Sequence, residues 1–210
     1  MSALAAVRRK RGYLLSYHRL LWDLDPELLA TYDAFYTRLT LTARVLSPVE
    51  KETVWIALIA ATRAKVGTIH LKRAVKAGMS PDAIADAFAI AAACESLDAA
   101  GFAANAFPQW VSERRSTKRY LRVFDAARGR TRPLVAEIAA LVAHAGQRRS
   151  AGMKIHLLRA FRRGAKRAQV AEALSFALLH CGGPTMLAAM DCWIASAKLQ
   201  QVPAPFRGRL

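Results

Sequence analysis

Along nearly the whole chain apolar residues recur every three to four positions, while β-branched runs alternating with period two are scarce. A three-to-four spacing is the repeat of a helix with one buried face, so the pattern predicts an all-α protein. Start and stop signals then divide it into elements. Pro26 and Glu27 open a helix over "PELLATYDAFYTRL". Ser47, Pro48 and Glu50 form an S-x-x-E capping box with proline in the first turn, which starts a helix over "SPVEKETVWIALIAAT". The helix "IHLKRAVKAG" ends at Gly78, in the place of a left-handed C′ residue. Ser80-Pro81-Asp82 begins another, whose Ile84, Phe88 and Ala91 share one face. The middle, "PQWVSERRSTKRYLRVFDAARGRTRP", reads as a basic amphipathic helix followed by a linker. Amphipathic pattern resumes in "PLVAEIAALVAHAG", "GMKIHLLRAFRRG", "KRAQVAEALSFALLHCGG" and "PTMLAAMDCWIASAKL".

The second series of helices echoes the first. Residues 69–88 lie over 155–174 without a gap, matching Ile69/Ile155, His70/His156, Leu71/Leu157, Arg73/Arg159, Ala74/Ala160 and Gly78/Gly164. Alanine matches carry little in so alanine-rich a chain, but His, Arg and Gly in one register argue for an internal duplication. The expected organisation is a basic leader over 1–25 and two tandem helical repeats over 26–128 and 129–210, forming one compact helical domain.

Composition changes this picture in two places. The 32 basic residues against 15 acidic ones give a formal net charge of +17, which favours an anionic partner. The three cysteines, Cys94, Cys181 and Cys192, show neither CxxC nor zinc spacing. On apolar helices they read as reduced, buried thiols, which points to the cytoplasm. No continuous apolar run reaches the ~18 residues of a membrane span, so no transmembrane segment is expected. The N-terminus "MSALAAVRRKRGYLL" has the wrong charge order for a secretory signal, although its acid-poor, Arg-rich character is shared by transit peptides.

The segment "LSPVEKE", with a histidine about eighteen residues later, a glycine stop and then an acidic-apolar helix, resembles the carboxymuconolactone decarboxylase and AhpD-like superfamily. The second half adds "HCGGPTMLAAMDCW", similar to that family's Gly-x-Pro turn. The resemblance implies helical rings of trimers or hexamers, so a homo-oligomer, with pockets near the histidine. It matches Glu52 and His70 in the first half, with Glu50 a rival for Glu52, and Glu137 and His156 in the second, as acid and histidine. The peroxidase branch carries cysteines seven and four residues before the histidine. Here those places hold Arg63 and Val66, and Arg149 and Gly152. Without a thiolate there is no peroxide-reducing dithiol.

The decarboxylase branch needs no cysteine and no cofactor, so the resemblance implies a lyase acting on a small anionic or lactone-type molecule. Losing a carboxylate leaves carbanionic charge that must be stabilised and protonated. Histidine can donate that proton near neutrality, and arginine can grip a carboxylate. His70, Glu52, His156 and Glu137 are therefore the candidate catalytic residues, His70 before His156. Arg63, Arg149 and His180 are the candidate substrate-binding ones. No metal site is expected, since His180-Cys181 lacks further ligands in any familiar spacing. Trp22, Tyr32, Phe35, Tyr36 and Trp55 are spaced for packing. Two other readings compete: a non-catalytic scaffold or ligand-binding protein of the same fold, and a basic helical module whose Arg-rich middle, with Tyr120 and Phe124, binds nucleic acid or an anionic surface.

Overall fold

The computed structural model describes residues 3–207, the side chain of Val66 excepted. It is all helical, with no strand among the described residues, and falls into two compact units, 1–42 and 43–210.

The first unit contains α1 (Ala3–Arg11), α2 (Ser16–Leu24) and α3 (Pro26–Tyr36), the last continuing into a π turn over Thr37–Leu41. Asp25 caps α3 by accepting from the Glu27 amide at 2.8 Å, with Pro26 in the first turn. The basic run at the end of α1 is not all solvated. Arg11 is buried, donates to Asp33 at 2.8 Å and lies 3.8 Å over the Tyr36 ring, while Lys10 also bonds Asp33. Both nitrogens of the fully buried His18 face donors: the Leu15 amide lies 3.1 Å from Nδ1, and Arg11 Nη1 lies 3.1 Å from Nε2. A protonated ring would set N–H against N–H, and burial with the Arg11 charge lowers the His18 pKa to about 4. Tyr36 is core as expected, but Phe35 is 44% exposed, because it sits on the opposite side of α3 from the buried Leu29, Asp33 and Tyr36.

The second unit comprises α4 (Pro48–Ala61), a 3₁₀ turn over Lys65–Gly67, α5 (Thr68–Lys76), α6 (Pro81–Ala106), α7 (Glu113–Ala127), α8 (Pro133–Gly146), α9 (Ser150–Arg162), α10 (Arg167–Cys181) and α11 (Gly183–Lys198). Its centre is the pair α4 and α8, each 14 residues long and each opening on proline. Both are buried almost all round: Lys51 through Ile59 in α4 and Val135 through Ala145 in α8 are buried without interruption. Around them lie α6, α9 and α10, closed by α7 and α11. Phe124, Ile138, Leu141, Leu157, Phe176 and Trp193 fill the core, each contributing about 1.5–3 kcal/mol by burial. The basic helix α7 turns Ser116, Tyr120 and Phe124 inward and leaves Arg114, Arg115, Lys118, Arg119 and Arg122 in water. The aromatic residues of that segment are therefore core, not part of its basic face.

Helix α6 departs from expectation twice. Its inner face is Ala87, Ile90, Ala91, Cys94 and Leu97, whereas Phe88 is 39% exposed. It also has the length and composition of a membrane span, with a mean hydropathy of 1.4 over eighteen residues, although no continuous apolar run announces it. Gly78 and Gly164 end α5 and α9 with φ of 89° and 86°, a conformation that glycine adopts without a Cβ penalty.

Candidate functional site

Glu52 and Glu137 occupy the same place, the fifth residue, of α4 and α8. Each receives a hydrogen bond from the Nδ1 of a histidine on the next α-helix: His70 to Glu52 at 2.8 Å across 18 residues, and His156 to Glu137 at 2.7 Å across 19. The one-residue difference is why the glutamate register is ambiguous in the sequence. Glu50, the rival, is spent on the capping box, its carboxylate accepting from the Ser47 amide at 2.9 Å.

The two pairs differ in their surroundings. In the first, the His70 imidazole stacks on Trp55 at 4.3 Å, and 8% of its side chain is exposed, with 6% of that of Glu52. Nδ1 is taken by Glu52, so Nε2 is the nitrogen left for chemistry. His180 stands edge-on to the same Trp55 and is held by Thr62 at 2.9 Å. Burial lowers the pKa of His70 and of His180; Glu52 opposes the shift at His70, and the His70 charge reinforces it at His180. The charge of Arg73, on the same helix as His70, also acts on that ring, and Lys51 is buried beside Glu52 and Glu172.

In the second pair neither side chain has any exposure. Glu137 also accepts from Arg159 Nε at 2.8 Å and Arg163 Nε at 3.0 Å. Burial alone would raise its pKa, but His156 and Arg159 outweigh it and keep the carboxylate ionised. His156 Nε2 is hydrogen-bonded to the Tyr120 hydroxyl, which also lies 3.2 Å from His144 Nε2 and 3.9 Å from the Cys94 sulfur. Burial pushes the Cys94 thiol up to about 12, and burial with the charges of His156 and Arg149 lowers His144 to about 3.

The two arginines upstream of the histidines converge on Glu95 instead. Arg63, at a left-handed φ of 54°, reaches Glu95 on α6 at 3.4 Å, and Arg149 reaches Glu95 at 3.0 Å and Asp98 at 2.7 Å. Burial opposes ionisation of Glu95, but Gln147 and Arg149 hold its pKa below the ordinary carboxylate range. Arg149 also lines a cleft of about 380 Å³ together with Asp98, Asn105, Ser116 and Gly152. Tyr120, His144, Cys94, Arg159 and Arg163 are additions that sequence reasoning missed. Only Arg159 left a signal, as the partner of Arg73 in the duplicated register. All three cysteines are free thiols.

No curated protein and no solved structure matches the chain. A family model does match, described as the carboxymuconolactone decarboxylase family, over residues 26–108. That stretch contains Glu52, Arg63 and His70, so the resemblance written in "LSPVEKE" and its histidine is one to the carboxymuconolactone decarboxylase family.

Proposed function

We propose that the chain is a cysteine-independent lyase of the carboxymuconolactone decarboxylase kind, acting on a small carboxylated lactone or similar anion at the Glu52–His70 pair. The observation that carries this reading is the contrast between the two pairs: the first keeps a small solvent-exposed edge and leaves Nε2 unclaimed by its glutamate, whereas the second is sealed and its Nε2 is occupied. Glu52 orients the ring and balances the imidazolium. As carbon dioxide leaves, the electron pair of the broken bond spreads into the adjacent unsaturated carbonyl; Nε2, which must first take a proton from water to form the imidazolium, delivers that proton to the carbanionic carbon and returns to its neutral form. His180, across Trp55, supplies a second polar group, and the Arg73 charge favours an anionic substrate. The sealed pair Glu137–His156 holds α8 to α9 and does not touch substrate.

The test is carbon dioxide release from a panel of γ-lactone carboxylic acids by wild type, His70→Gln and His156→Gln, normalised to folded protein. General acid catalysis of ~10²–10⁴-fold is at stake, so His70→Gln should lose at least about a hundredfold in kcat/KM while His156→Gln keeps most of it. Unchanged turnover in His70→Gln, or no turnover of any member by the wild type, refutes the proposal.

A further inference from the structure

The sealed half of the molecule gathers more donor groups than its packing needs. Cys94 comes from α6, His144 from α8 and His156 from α9, all buried, with one donor atom of each within 4.8 Å of the others. The Tyr120 hydroxyl, from α7, contacts all three. We propose that these four side chains bind a zinc-class divalent transition-metal ion that ties the four helices together as a structural site.

Three features support this. First, two of the three distances from the Tyr120 hydroxyl are near the edges of a closed tetrahedral site, while the third, to His156, is shorter and must open to admit the ion. Bonds of about 2.0 Å to nitrogen and oxygen and about 2.3 Å to sulfur imply edges of about 3.3 Å between oxygen and nitrogen and about 3.5 Å between oxygen and sulfur. Tyr120 Oη lies 3.2 Å from His144 Nε2 and 3.9 Å from Cys94 Sγ. Second, the His156 proton is fixed on the outer nitrogen by its bond to Glu137, itself clamped by Arg159 and Arg163, so Nε2 turns a lone pair toward the cluster. A carboxylate behind a histidine is the usual second layer of a metal centre. Third, His144 turns Nε2 toward the Tyr120 hydroxyl at 3.2 Å, while its buried Nδ1 has no hydrogen-bond partner among the described residues and so leaves the ring's tautomer free to present a lone pair at Nε2. Room for this ring exists only because residue 152 is glycine: a Cβ there would lie 2.3 Å from His144 Nδ1. That glycine also lines the 380 Å³ cleft. With four protein donors no position is left for substrate, so the role is structural. The expectation of no metal rested on short-range spacing, and these ligands come from four separate helices.

The full-length chain, stripped with a chelator, is given zinc or cobalt(II) and dialysed. The proposal expects about one ion per chain, with the near-ultraviolet thiolate-to-cobalt band and intense visible bands of tetrahedral cobalt(II). Both should disappear in Cys94→Ser and persist in Cys181→Ser and Cys192→Ser. X-ray absorption at the zinc edge of the wild type covers the case in which Cys94→Ser does not fold, and should show one sulfur among nitrogen and oxygen neighbours. Sub-stoichiometric metal, a shell without sulfur, or a cobalt band that follows Cys181 or Cys192 overturns the proposal.

Discussion

Removing the charge from each buried glutamate separates the roles of the two pairs. In Glu137→Gln the amide cannot serve all its neighbours. Its oxygen can accept from Arg159 and Arg163, now at 2.8 and 3.0 Å, but its NH₂ then faces His156 Nδ1–H, at present 2.7 Å from Oε2. Breaking a buried ion pair costs about 3–5 kcal/mol. Two groups relieve part of this: Arg159 keeps Asp125 at 2.8 Å, and the Arg163 side chain is 36% exposed and can turn toward water. The expected loss is therefore near the lower bound, about 3 kcal/mol. In Glu52→Gln the amide oxygen can still accept the His70 Nδ1–H, now at 2.8 Å from Glu52, and the pair touches solvent, so about 1 kcal/mol is expected. Equilibrium urea unfolding followed by far-ultraviolet circular dichroism measures both. If Glu52→Gln destabilises the protein as much as Glu137→Gln, the division into an open and a sealed pair is wrong.

Gly152→Ala should lose about 1–3 kcal/mol despite the roughly 1 kcal/mol that alanine contributes to a helix, because the new Cβ overlaps the His144 ring. Gly101→Ala, in α6 with nothing within 4 Å, should gain about 0.5–1 kcal/mol, and a stable Gly152→Ala in thermal unfolding would refute the packing argument. The first unit should weaken in acid. His18 has its folded pKa depressed from 6.5 to about 4, so its contribution is complete above about pH 6.5 and is lost as pH falls toward 4. Asp33, pulled down by Lys10 and Arg11 against the effect of burial, acts in the same direction at lower pH. His18 alone makes the unit about 3 kcal/mol less stable at pH 4 than at pH 7. Amide hydrogen exchange over residues 16–36, corrected for intrinsic rates, should show this fall, and a slope unchanged in His18→Asn would refute it.

What could be read without the fold was whatever depends on near neighbours. Ser47, Pro48 and Glu50 start α4 through contacts spanning three residues, and Gly78 stops its helix through its own φ. The Glu52–His70 and Glu137–His156 spacings were legible because each pair joins two successive α-helices and is written twice. Arg63 shows where adjacency misleads. It stands seven residues before His70, yet the left-handed turn at Arg63 lies between α4 and α5, and its side chain ends on Glu95.

The amphipathic period by itself predicts that α7 is a helix with one inner face, whereas Tyr120, readable as a contact of the basic segment, is placed on that face only by the structure. Only the tertiary structure decided what Tyr120 meets there: Cys94 at 26 residues' separation, His144 at 24 and His156 at 36, on three different helices. Helical period specifies which side of an element is buried, whereas the partner of a buried polar group depends on how whole helices cross. The same packing left one histidine stacked on Trp55 with a small exposed edge and sealed its counterpart among donors, a difference absent from two segments that read almost alike.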